Sequence, residues 1–336
     1  MRKIFIVLAV IMQVLVLVYM AGEREYILRN GKIIYLRTAP IDPRDLFRGD
    51  YVRLNYEISR ISADSLRGGD TAHMIKGEKI YVNLKEAANG LYEFERVSKE
   101  KPEAGVFLVG RSPYEYRYRP FGYPLMLNYG IEAYFVQQGK GREIEKRLGN
   151  RNQIQIPLEM QIAVGRSGKA VIKGHRWSPL GMGLKILRAA PANPQLQTGP
   201  ASAKVALTLA NASNAPLALI LLPDNCSFAL ETAQTAQKEW VPAVNPCESF
   251  QPVDSDVLVL RPQEEKTFEF DFSDERWFVR MANTAPVEIG TLDWSERFRL
   301  IYRPPGEAAC RHLENSDLIW HGYLPSRAFH GRGRID

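Results

Sequence analysis

Ala39-Pro40-Ile41-Asp42-Pro43-Arg44-Asp45-Leu46-Phe47-Arg48-Gly49-Asp50-Tyr51-Val52-Arg53-Leu54-Asn55-Tyr56 reads as a rigid turn feeding a strand. Pro40 and Pro43 fix φ and push the residues before them toward extended backbone. Gly49-Asp50 is a turn dipeptide in which glycine is free to take positive φ. From Tyr51 the side chains alternate, with Tyr51, Arg53 and Asn55 on one face and Val52, Leu54 and Tyr56 on the other. Asp42 and Asp45 flank Pro43, where aspartates commonly cap turns by accepting backbone N–H bonds. With Asp50 and Glu132 they are also the candidate carboxylates of a site. A metal would need more oxygen ligands than this neighbourhood supplies, so neither metal nor cofactor is expected.

A second block lies downstream: Tyr129-Gly130-Ile131-Glu132-Ala133-Tyr134-Phe135, then Gly139-Lys140-Gly141-Arg142-Glu143-Ile144-Glu145. Gly49, Asp50, Tyr51, Leu54 and Tyr56, followed at this spacing by Tyr129, Gly130 and Glu132, resemble the signature of the GDYXXLXY family of bacterial membrane-anchored proteins. The resemblance covers about residues 1–177. It implies one membrane anchor and an extracytoplasmic β-rich domain, and it transfers no catalytic residue. The run Pro, Leu, Gly-Asp ahead of an apolar strand also resembles the signal-peptidase box. Residues 39–49 contain no Ser or Cys, however, and Thr38 is out of register, so the nucleophile that such chemistry requires is missing.

Residues 4–22 carry no charge and one amide, Gln13. Nineteen residues at about 1.5 Å each span about 28 Å, close to a hydrocarbon core. Arg2 and Lys3 before the span, and the mixed Glu23-Arg24-Glu25 after it, orient the N-terminus inside. A cleaved leader would need a small-x-small site, which Tyr19-Met20-Ala21-Gly22 does not provide. The expected location is the inner membrane as a single-pass protein, with the lipid bilayer as partner through residues 4–22 and the bulk of the chain periplasmic.

The formal charge of +6 conceals an asymmetry: residues 1–178 hold 29 Lys/Arg against 19 Asp/Glu, and residues 179–336 hold 15 against 19. A chain of this length accommodates two domains. The expected division is an anchor (1–22), a basic β domain (23–178), a proline-rich linker (179–200) and an acidic β domain (201–336). The fold class is mainly β: a small antiparallel barrel or curled sheet, then a β-sandwich. Expected elements of the first β domain are strands at 32–36, 51–61, 78–84, 91–97, 106–109, 131–136 and 154–164, the last turning at 165–168 and returning through 170–172. A polar loop is expected over 62–77 and a short helix over 139–148. Strands of the second are expected at 203–209, 217–222, 228–231, 239–241, 257–260, 266–272, 298–302 and 318–323, before a frayed tail from Arg327. Asn211–Leu217 and Leu260–Glu265 are similar to segments of bacterial immunoglobulin-like domains.

Cys226, Cys247 and Cys310 lack metal-ligand spacing. In an oxidising compartment Cys226 and Cys247 form the natural pair, closing a loop worth about 3 kcal/mol; three buried thiols are the alternative. His312, His321 and His330 fit no common zinc spacing. Tyr114-Glu115-Tyr116-Arg117-Tyr118-Arg119-Pro120-Phe121-Gly122-Tyr123 interleaves aromatics with charges, as a sheet with one aromatic face would, or as a glycan or peptide groove would. The compartment excludes nucleic acid. The functional expectation is a membrane-anchored envelope protein acting as a non-enzymatic interaction or structural module, with another membrane protein as the candidate partner. The alternatives are a hydrolase-like enzyme using Asp42, Asp45 and Asp50, or a binder using residues 114–123.

Overall fold

The computed structural model describes residues 2–335 apart from 39–50, 67–69, 119–122, 138–139, 150–152, 190–202, 234–239, 243–249, 275–276, 280–286, 290–295 and 332. The N-terminus is one helix, α1 (Arg2–Asn30). It is long and apolar enough to cross a membrane, and the apolar side chains of residues 4–22 are exposed on all sides. The helix does not end with the apolar run at Gly22. It continues through Glu23 to Asn30, because Ile27 finds apolar cover against the protein while Arg29 bonds Glu25 at 2.7 Å on the wet side. Gly31 then turns the chain, its amide donating to the Ile27 carbonyl at 2.8 Å. A Cβ here would lie 2.5 Å from Ile27 O and 3.0 Å from Val164 O, so only glycine fits.

Among the described residues two large hydrophobic cores follow, with a smaller cluster of Ala218, Ile220, Cys310, Leu313 and Ile319 beside the second. The first is built by a three-stranded antiparallel sheet, in which Leu158–Val164 lies between Lys32–Arg37 and Ala170–Trp177. A second sheet places Lys79–Glu86 between Tyr92–Ser98 and Val106–Arg111. Ile34, Leu36, Met160 and Ile162 meet Ile80, Val82 and Leu108 in this core. Helix α2 (Lys140–Leu148) lays Ile144 on it. The antiparallel sheets among the described residues do not close into a barrel.

The strand expected from Tyr51 is real but short. It spans Tyr51–Arg53, and a 3-10 turn at Glu57–Ser59 interrupts it before Arg60–Ile61. The inward face is nonetheless as read, with Val52, Leu54 and Tyr56 all buried. The segment 62–77 is not simply a polar loop. Leu66 and Met74 are fully buried, and at about 1.5–3 kcal/mol per large apolar side chain that burial draws the segment against the core.

The second core fills a β-sandwich. One sheet has Lys204–Asn211 between Leu180–Arg188 and Glu265–Asp271. The other carries Phe228–Ala233 and Arg297–Tyr302 side by side. Val205, Leu207 and Phe270 from the first meet Phe228, Leu300 and Tyr302 from the second. Leu180–Arg188 occupies the front of the expected linker, and residues 190–200 lie outside the described residues. The frayed tail is also corrected. Phe329 is fully buried and stacked on Phe272 with ring centroids 5.3 Å apart, and Phe329–His330 pairs with the Arg297–Tyr302 strand. Two aromatic rings buried against each other outweigh the polar, glycine-rich composition around them.

Candidate functional site

The two signature blocks meet. Tyr51–Arg53 pairs antiparallel with Ala133–Phe135, and the Leu54 amide donates to the Glu132 carbonyl at 2.7 Å. Two buried tyrosines then cross between the blocks. The Tyr56 hydroxyl donates to Ile131 O at 2.8 Å, and the Tyr129 hydroxyl donates to Ile58 O at 2.6 Å. Each block therefore supplies one hydroxyl and one carbonyl to the other. Burial, and secondarily the Glu132 charge, push both phenols far above their ordinary range, so both remain donors. Gly130 takes φ +79°, and the Glu132 carboxylate closes that turn by accepting the Tyr129 amide at 2.5 Å and the Gly130 amide at 3.0 Å. Leu54 fills the core beneath.

Asp42, Asp45, Gly49 and Asp50 lie outside the described residues, as does the Tyr51 side chain. Thr38 is buried, with its hydroxyl donating to Leu158 O at 2.9 Å. Of the aromatic stretch, Tyr116 points into the core, whereas Tyr114 and Tyr123 are exposed, so its inward face is not continuous. Glu115 and Arg117 face out and bond each other at 2.9 Å, with His73 3.1 Å from the same carboxylate. Residues 119–122 lie outside the described residues.

A polar cluster, largely buried, lies elsewhere among the described residues, where the two cores meet. On the sheet face away from the first core, Arg37, Glu159 and Arg176 stand in one cross-strand row. Arg176 donates to Glu159 at 2.6 Å and lies 3.9 Å above the Tyr35 ring. On the sandwich, Glu231 stands opposite Arg299, which donates to it at 2.7 Å through Nε, bonds the Tyr323 hydroxyl, and covers Trp240 at 4.5 Å. Arg37 joins the two rows by donating Nη1 to the Tyr323 carbonyl. Its Nε and Nη2 have no hydrogen-bond partner among the described residues. Glu57 stands between the rows. It is half-buried by surface area, yet protein packs so closely around its carboxyl that lost hydration pushes its pKa up, against the pull of Arg37 and Arg299 and with the help of Glu93 and Glu231. Three arginines and three glutamates thus line this joint.

Sequence reasoning missed this joint. It also missed His175, which lies 3.0 Å from the Tyr134 hydroxyl and edge-on to Trp177, with a pKa lowered by burial and then by Arg147. Strand alternation puts the members of the joint on an outward face that only the packing of a second layer buries, whereas His175 pairs with Met160 on the core-facing side of its sheet.

Cys226 is disulfide-bonded, Cys310 is a buried free thiol, and Cys247 lies outside the described residues. His312 and His321 pair with backbone carbonyls of Pro252 and Pro305 at 3.1 and 3.3 Å. Among the described residues no group of three His, Cys, Asp or Glu converges as a metal site would require.

No curated protein and no solved structure matches the chain. A family model described as GDYXXLXY protein matches residues 13–174, a span that begins inside α1, includes both signature blocks and ends in the Ala170–Trp177 strand. The chain thus carries a GDYXXLXY-family domain over residues 13–174, joined to a helix long and apolar enough to anchor it in a membrane.

Proposed function

We propose that this chain is a single-pass inner-membrane protein, N-terminus inside, whose extracytoplasmic part is a non-enzymatic interaction module of an envelope complex. In this reading residues 23–178 form the basic membrane-proximal domain. The sandwich, which starts at Leu180, is an immunoglobulin-like domain that meets the partner, and Cys226 pairs with Cys247 in the oxidising periplasm. The observation that carries the reading is the reciprocal bonding of Tyr56 and Tyr129. The described polar groups of the family signature are spent on backbone carbonyls and amides, as befits a signature that maintains a scaffold. The buried Arg–Glu joint supports it, since such a joint holds the sandwich in a set orientation above the first core. The exposed strand Glu265–Asp271, which borders one sheet of the sandwich, is the natural place to look for a partner. A photo-crosslinking residue at Lys266 or Thr267 in cells is expected to give one discrete protein adduct common to both positions. Diffuse or absent adducts at both positions would count against an interaction module.

A further inference from the structure

We infer that the tip of the hairpin between Leu158–Val164 and Ala170–Trp177 is a lipid-headgroup contact, reading phosphate through Arg166. This rests on the anchor reading of α1. The apolar run ends at Gly22, so in a spanning helix Glu23 sits at the boundary of the hydrocarbon core, and the next turn or so passes through the headgroup layer.

The hairpin is fastened to that same turn of helix. Gly31, just past the helix end, lies against the Val164 backbone. Gly165 lies beside Ile27, where a Cβ would come 3.0 Å from its side chain. Lys169 reaches Glu23 at 2.6 and 2.7 Å. The hairpin therefore runs down the helix toward the bilayer: Val164 lies beside Gly31, the bonded Gly165 and Lys169 lie at the level of Ile27, and the Lys169 side chain reaches on to Glu23. The tip is held closed by two turn bonds of 2.9 Å, Gly165 to Lys169 and Gly168 to Gly165. It is braced from behind by the Val109 amide on Gly168 O at 2.9 Å.

The local charges point the same way. Glu23 is matched by Lys169 and Glu25 by Arg29. Arg24 and Arg166 have no ion pair among the described residues, and both are exposed. Two uncompensated guanidiniums at headgroup depth suit the phosphates of anionic lipids, which arginine engages in a bidentate fork.

The test uses full-length protein with a spin label at Ser167→Cys in a Cys310→Ser background. It is reconstituted in nanodiscs of phosphatidylcholine with or without phosphatidylglycerol, and a label at Lys266→Cys serves as the water-exposed control. The expected result is protection of the Ser167 label from a water-soluble nickel chelate, stronger with phosphatidylglycerol, and loss of that extra protection in Arg166→Glu. A Ser167 label as accessible as the Lys266 label would overturn the inference while leaving the anchor intact. Protection indifferent to phosphatidylglycerol and to Arg166→Glu would overturn headgroup recognition. Failure of the chain to enter nanodiscs at all would instead remove the anchor reading on which the inference rests.

Discussion

Replacing Arg299 by methionine tests the joint between the two cores. The change removes an ion pair with Glu231 whose closest approach is 2.6 Å, with both side chains at most 17% exposed. It also removes the bond to Tyr323 and the contact with Trp240. Methionine fills similar volume, so the main loss is the partner of a buried carboxylate, which costs about 3–5 kcal/mol. For a unit of this size each kcal/mol shifts the melting temperature by about 2–4 °C, so a fall of roughly 6–20 °C is expected. The assay is thermal unfolding of the full chain in nanodiscs, followed by tryptophan fluorescence, to which Trp240 in the joint contributes. Adding Glu231→Gln to the variant removes the stranded charge, and the double variant is expected to recover a large part of the loss. A drop below about 2 °C would mean that the pair is solvated rather than buried. Simple additivity of the two losses would mean that they do not share one joint.

Glu57 has a raised pKa, so the folded protein favours its neutral form. Its contribution is favourable below the ordinary value of 4.5 and is lost as pH rises through the folded value. Glu57→Gln is therefore expected to stabilise the chain at pH 8, with the gain fading as pH falls toward 4.5; chemical denaturation at several pH values reads it, and a gain largest in acid would reverse the sign and refute the burial of this carboxyl. Gly168 takes φ +79°, and a Cβ there would lie 2.7 Å from the Phe107 ring, so Gly168→Ala is expected to cost at least about 1 kcal/mol by denaturant melt. Cys310 is buried and its thiol pKa is pushed up by burial, so a maleimide is expected to modify it only in denaturant; rapid labelling of the native chain would contradict that burial.

The local signals in the sequence were reliable where one residue type has one physical use. Asn89-Gly90 joins two strands as read, with Gly90 at φ +73°, and Val52, Leu54 and Tyr56 face inward as their alternation requires. The charge-free run before Glu23 is a helix long and apolar enough to cross a membrane, as its composition reads. Leu180–Arg188 was illegible because Gly181 and Gly183 look like loop residues. They are glycine because Ile154 crosses that strand, where Cβ atoms would lie 2.8 and 3.2 Å from its side chain. The Arg37–Glu57–Glu231–Arg299 joint was illegible for a different reason. Each member occupies the polar position of an ordinary surface pattern, and nothing along the chain says that a second sheet will cover it.

The central claim is that the GDYXXLXY signature holds two segments together through Tyr56 and Tyr129. Native-state hydrogen exchange at the Leu54 amide, which bonds Glu132 O, tests this most directly. In the parent chain this amide is expected to exchange only through global unfolding. In Tyr56→Phe the Ile131 carbonyl loses its donor, at a cost of about 1–3 kcal/mol, so local opening should speed exchange at Leu54 by roughly 5- to 150-fold. Exchange at Leu54 that is unchanged in Tyr56→Phe, and again in Tyr129→Phe, would contradict the account.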